Sequence, residues 1–217
     1  MTWLRRADAA DDPTAPAHVA IERGRLAARV AELGARLSAD YAGAARPPVF
    51  VGVLKGSALF LADLARALTI DAAFDFIAIS SYADSGPQSG VVRIVKDLDD
   101  DVAGRDVVVV EDIVDTGLTL NYLRRALSQR APASLRAVAL IDKSVRRIVP
   151  VELEYRGFDV PDVFVVGYGL DFQGRYRNVP DIVAVRDVAR LANEPRLLVD
   201  ALFAPRRGRD GADAPYS

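Results

Sequence analysis

The sequence predicts an α/β fold: a twisted, mainly parallel sheet with helices packed against it. Three observations predict it. Short apolar runs alternate with segments of helical periodicity, the rhythm of parallel strands joined by helices. Two of the runs, VVVVE (107–111) and LRAVALI (135–141), are almost unbroken in apolar residues, as strands buried on both faces are. The length, 217 residues, suits one domain with a sizeable core and is short for two.

The elements follow in order. Ala, Asp and Pro dominate the start, and residues 1–19 read as a flexible leader. From Ile21 to Tyr41, apolar residues at Leu26, Val30, Leu33 and Leu37 predict an amphipathic helix. Pro47 and Pro48 end it. VFVGVL (49–54) is a strand, Ser57 to Leu68 a helix and FDFIAI (74–79) a strand. VVRIV (91–95) is its hairpin partner across the Gly- and Ser-rich ADSGPQSG. The strand at 107–111 leads to a helix from Leu120 to Gln129 and then to the strand at 135–141. FVV (164–166) and IVAV (182–185) are short strands. The domain closes near residue 203, and 204–217, rich in Gly, Arg and Asp, read as a flexible tail.

Composition removes several classes of function. Lys plus Arg is 28 and Asp plus Glu 30, a net charge of −2, so no global field favours nucleic acid or an anionic membrane. No run approaches the roughly 18 apolar residues of a membrane span, and the N-terminus lacks the apolar core of a secretory signal. With no cysteine, disulfides and thiolate chemistry are excluded, which fits a cytoplasmic protein. The single histidine, His18, falls in the leader, so Ser-His-Asp chemistry is set aside.

Any phosphate affinity must therefore be local, and VVVVEDIVDTGLTL (107–120) offers it. A strand runs into Glu111-Asp112, then into the loop Asp115-Thr116-Gly117-Leu118-Thr119, then into a helix. Successive N–H groups, two hydroxyls and a glycine at a helix N-terminus suit a dianionic phosphate. The acid pair just ahead would repel that phosphate. It is better placed to accept hydrogen bonds from sugar hydroxyls or to hold hydrated Mg²⁺. The plainer reading is a strand end with solvated acids and a helix cap at Thr116 or Thr119. The loop is neither a P-loop nor a dinucleotide-binding glycine turn, because position 118 is leucine and no G-x-G-x-x-G occurs.

Val107–Thr119 resembles the phosphoribosyl pyrophosphate fingerprint of the type I phosphoribosyltransferases. VLKGS (53–57), SSY (80–82), DKS (142–144) and FVVGYGLDFQGRYRNVPDI (164–182) resemble, in the same order, the hypoxanthine-guanine branch of that family. The resemblance implies a Rossmann-like sheet with a small hood, built from the N-terminal segment and residues after about 145. It implies transfer of phosphoribosyl from phosphoribosyl pyrophosphate to a 6-oxopurine, with Mg²⁺ as cofactor. Asp115 to Thr119 then hold the 5′-phosphate, Asp115 also being the general base, and Glu111 and Asp112 hold the ribose hydroxyls and metal. Lys55, Gly56 and Arg177 hold pyrophosphate, and Asp171 reaches a second Mg²⁺. Lys143 donates to the purine 6-oxo group, Phe164 stacks on the ring, and the Val165 backbone meets its pyrimidine edge. Ser81 and Tyr82 open a flexible loop over the reaction centre, and the Leu54–Lys55 peptide can be cis. Relatives are typically dimers or tetramers, so a homodimer or homotetramer is expected. The rival class, regulators of nucleotide synthesis that bind nucleic acid on the same fold, needs a basic face; here the basic runs, such as Arg146-Arg147, are short.

Overall fold

In the computed structural model, which describes residues 15–81, 92–194 and 196–203, the unbroken valine run at 107–110 becomes the centre of a sheet. The elements are β1 (Ala17–Ile21), α1 (Arg23–Tyr41), β2 (Val49–Leu54), α2 (Ala58–Ala67), β3 (Ala73–Ser81), β4 (Val92–Lys96), β5 (Asp106–Val114), α3 (Leu118–Ser128) and β6 (Ser134–Asp142). After a 3-10 turn at Ser144–Arg146 come β7 (Tyr155–Asp159), β8 (Phe164–Val166), β9 (Ile182–Val185), α4 (Val188–Asn193) and α5 (Val199–Phe203). Six strands form the main sheet in the order β4-β3-β2-β5-β6-β7. All neighbours are parallel except the edge pair β3-β4, which is antiparallel as a hairpin partner should be.

Alternation along the strands explains the composition. Val49, Val51, Val53, Val107 and Val109 pack with Leu120, Leu123 and Leu127 of α3 on one face. Phe50, Val108 and Val110 pack with Leu26, Leu33 and Leu37 of α1 and with Phe60 and Leu64 of α2 on the other. Successive side chains of a strand point to opposite faces, so a strand covered on both sides is apolar throughout. Each fully buried side chain of this kind contributes about 1.5–3 kcal/mol. A charge at Val109 would meet no partner among them.

A second, three-stranded sheet, β1-β9-β8, is antiparallel and forms the hood. Its own core joins Ala17, Val166, Val183 and Val185 to Leu191, Leu198 and Leu202. This sheet corrects the expected boundaries. Ala17–Val19, assigned to the flexible leader, pair with Val185–Val183, and Ile21, read as the first helical residue, pairs with Ile182. The first helix starts at Arg23 because its cap is distant. Glu22 gives no side-chain cap, and the buried Asp181 accepts the Arg23 N–H at 2.7 Å and its guanidinium at 2.9 Å. The third helix starts at Leu118, two residues earlier than expected, because Gly117 takes a left-handed φ of 84° and turns the chain at once. The edge strand β7 and the helices α4 and α5 were not anticipated. Residues 1–14, most of the proposed loop (Tyr82 onward) and the tail lie outside the described residues. Among the described residues no helix is long and apolar enough to cross a membrane.

Candidate active site

The carboxyl ends of β2 and β5 lie side by side, and the turns that follow them face one another. The turn after β2 holds a cis Leu54–Lys55 peptide and then Gly56. A Cβ at Gly56 would overlap the Asp112 carboxylate, so glycine lets that acid lie against the loop. The segment after β8 closes the other side. Gly169 has a φ of 99°, and a Cβ there would overlap the Gly56 carbonyl. Tyr168 donates its hydroxyl proton to Asp63 of α2, fastening this segment to the helix that follows the Lys55 turn. Arg177 donates to the Gly169 carbonyl at 2.5 Å and pairs with Asp171 at 2.6 Å, while the Gly174 N–H donates to Asp171 at 2.7 Å.

Between these turns lies a cavity of about 340 Å³, lined by Lys55, Gly56, Glu111, Asp112, Asp115, Thr116, Gly117, Thr119, Asp171 and Arg177 among others. Four carboxylates face two cations there. Glu111 is buried and its Oε1 has no hydrogen-bond partner. Burial, reinforced by the Asp112 charge, holds its carboxyl well above the usual carboxylate range. Burial likewise pushes Asp112 up to about 6, against the opposing pull of two backbone N–H groups and Arg177. Two adjacent acids whose carboxyls are both pushed up by burial make a place that favours added positive charge.

A second cavity, about 290 Å³, adjoins the first and shares Asp112, Ile113, Asp115 and Asp171 with it. Lys143, Arg146, Phe164, Val165 and Leu170 complete its walls. Lys143 is buried at the end of β6 and donates from Nζ to the Val163 carbonyl at 2.5 Å. Burial lowers its pKa; Asp115 opposes that shift and Arg146 adds to it. Phe164 meets Phe172 edge-on with ring centroids 5.8 Å apart, and it lines this cavity.

The sequence matches the family model described as "Phosphoribosyl transferase domain" over residues 20–173. It is 50% identical over 159 residues to the hypoxanthine-guanine phosphoribosyltransferase of Mycobacterium avium, covering 71% of this chain and 78% of that protein. It is 45% identical over 164 residues to the hypoxanthine phosphoribosyltransferase of Escherichia coli K12, covering 76% and 92%. The chain belongs to the phosphoribosyltransferase family, in its hypoxanthine-guanine branch. Solved structures of that branch share the type I phosphoribosyltransferase fold. The Bacillus anthracis hypoxanthine-guanine enzyme superposes with a TM-score of 0.73 at 41% identity, over 77% of this chain and 98% of that one. A Trypanosoma cruzi hypoxanthine enzyme gives 0.76 at 39%, over 82% and 95%.

Set against the phosphoribosyltransferase expectations, most of the named residues converge. Lys55, Gly56, Glu111, Asp112, Asp115, Thr116, Gly117, Thr119, Asp171 and Arg177 line the first cavity, and Lys143, Phe164 and Val165 the second. Leu118 does not line either; its side chain is 44% exposed. Ser81 is the last residue of β3, and Tyr82 lies outside the described residues. Asp171 and Arg177, expected to serve different parts of the ligand, are paired with each other. Asp142 is a support: it is buried and holds both Arg147 and Arg156. Sequence reasoning missed Ile113, Leu170 and Arg146. Arg146 stands three residues after Lys143, one turn of a 3-10 helix, and that spacing was its only signal.

Proposed function

We propose that the protein transfers the 5-phosphoribosyl group of phosphoribosyl pyrophosphate to hypoxanthine or guanine, giving IMP or GMP and pyrophosphate. The observation that carries this reading is the pair of adjoining cavities. One ends in a phosphate-type loop at the N-terminus of α3, and the other holds a buried lysine beside an aromatic ring. Their shared wall, Asp112 to Asp115, is where sugar and base would meet.

The residues take roles accordingly. The N–H groups and hydroxyls of 115–119 hold the 5′-phosphate, and Glu111 and Asp112 accept hydrogen bonds from the ribose hydroxyls. Lys55, Gly56 and Arg177 hold pyrophosphate. The C1′–oxygen bond to pyrophosphate breaks as purine N9 bonds to C1′, and the N7 proton passes to Asp115. Lys143 offers donors only, so it suits the 6-oxo group and leaves the amino group of adenine unmatched. Phe164 stacks on the ring, and the Val165 backbone meets its edge.

The residues present fit Mg²⁺. A polyanion entering among four carboxylates and two cations needs further positive charge, and Glu111 Oε1 is an unpartnered buried ligand. Among the described residues no group of three or more His, Cys, Asp or Glu is placed to hold a metal alone. Mg²⁺ is commonly held by one or two carboxylates together with substrate phosphates, and Glu111, Asp112 and Asp171 would supply them. When bound it neutralises the charge gathering on the leaving group. We place the enzyme in the cytoplasm as a homodimer or homotetramer.

The test is turnover. Purified protein with phosphoribosyl pyrophosphate, Mg²⁺ and hypoxanthine or guanine is expected to form nucleotide, followed by ultraviolet absorbance and chromatography. Absence of product with both bases would overturn the reading.

A further inference from the structure

We propose that Arg146 is a positioning residue for Asp115, an inference that rests on the base role given to Asp115 above. The backbone brings the two together. The Lys143 N–H donates to the Val114 carbonyl at 2.9 Å, and the Ile148 and Val149 N–H groups donate to the Thr116 carbonyl at 2.9 and 3.2 Å. The turn carrying Arg146 is thus fastened to the loop on both sides of Asp115. Within the turn, the Arg146 N–H donates to the Lys143 carbonyl at 2.9 Å. The same turn that delivers the base-reading lysine therefore delivers the arginine.

The side chain uses both ends of its planar fork. Nε lies 2.9 Å from Asp115 Oδ1, and Nη1 lies 3.0 Å from Asp162 Oδ1. Asp162 stands two residues before Phe164, so the arginine bridges the acid that would accept the purine proton and the strand that would stack on the purine. Among the described residues it is the only cation within ion-pair distance of Asp115. The contact is to one oxygen and is not aligned as a hydrogen bond, so charge holds it. With Oδ1 held, Oδ2 is left for N7–H. The side chains of Arg146 and Asp115 are 46% and 38% exposed, and such a pair adds little to folding stability. Its consequence is orientation: a guanidinium fixed at two points aims a carboxylate better than a lone flexible ammonium can.

The test is kinetic. Arg146→Ala is expected to lower kcat with hypoxanthine about 10-fold, a part of the roughly 10²–10⁴ that a positioned general base contributes. KM for phosphoribosyl pyrophosphate should stay within about twofold, because the loop's N–H groups and hydroxyls, not the Asp115 carboxylate, hold its phosphate. The melting temperature should not move. Arg146→Lys should recover part of the rate, and Asp162→Asn should lose part of it. Adding Arg146→Ala to Asp115→Asn should cost nothing further, since the arginine acts through that carboxylate. Wild-type turnover in Arg146→Ala would overturn the proposal, as would an equal fold-loss from Arg146→Ala in the wild-type and Asp115→Asn backgrounds, or a rate loss that tracks the melting temperature and is not rescued by lysine. If Asp115→Asn has no measurable turnover, the lysine and alanine variants decide between them. An inactive wild-type protein would instead sink the proposed function.

Discussion

Asp181 and Glu111 are buried to the same degree, each 4% exposed, yet they sit in opposite surroundings. Asp181 accepts the Arg23 backbone N–H, its Nε and its Nη2. Asp142, also buried, has two arginines. Glu111 has an oxygen with no partner and Asp112 as a neighbour of like charge. Leaving a buried charge unpaired is costly, and pairing it removes most of the cost. Asp181 and Asp142 have their cations from the chain, whereas Glu111, facing the cavity, has none among the described residues.

The largest expected effect lies on the side of chemistry. Asp115→Asn should lower turnover by about 10²-fold or more while leaving the melting temperature and cosubstrate affinity nearly unchanged. Steady-state kinetics beside calorimetry checks it, and unaltered turnover removes Asp115 from the base role. On the side of the fold, Asp181→Ala should cost about 2–4 kcal/mol in urea denaturation. That is below the full penalty for stranding a buried partner, because Arg23 is 41% exposed. A loss under ~1 kcal/mol would place Asp181 among ordinary surface pairs. Next, Lys143→Gln should narrow the preference for hypoxanthine over adenine by about 1–3 kcal/mol in kcat/KM, since the donor-only group is gone.

The smallest effect divides the two kinds of acid most directly. Because burial holds Asp112 near pKa 6, it contributes stability that is fully present below about pH 4 and is lost as pH rises through 6. Asp112→Asn is neutral throughout. The ligand-free variant should therefore be about 1–3 kcal/mol more stable than the parent at pH 7.5 and equal to it near pH 4. Denaturation at the two pH values tests this, and a variant less stable at pH 7.5 would erase the contrast with Asp181.

Much of the sheet was legible because burial on both faces writes itself as an apolar run, as at 107–110. β1 was hidden: AHVAI is short, lies in an Ala-rich stretch and pairs with residues 182–185 at the far end of the sequence. β7, YRGFD, was hidden for another reason. It is an edge strand, and Arg29 of α1 donates to the carbonyls of Arg156 and Gly157. The phosphate-type loop was legible because a backbone cradle is contiguous in sequence. The Asp171–Arg177 pair depends on the turn around Gly174, which residue type does not reveal, and Arg146 on a single 3-10 turn whose one trace in the sequence is its spacing from Lys143. The run Arg146-Arg147 read as too short for a basic face, and its two side chains serve different carboxylates, Asp115 and Asp142.

The cap of α1 sets a schedule for biosynthesis. The first helix leaves the ribosome early, but the carboxylate that completes its start follows 158 residues later. At roughly 5–20 residues per second, that is a wait of about 8–30 s. Until then the start of the helix lacks the carboxylate that caps it, and β1 lacks its partner β9.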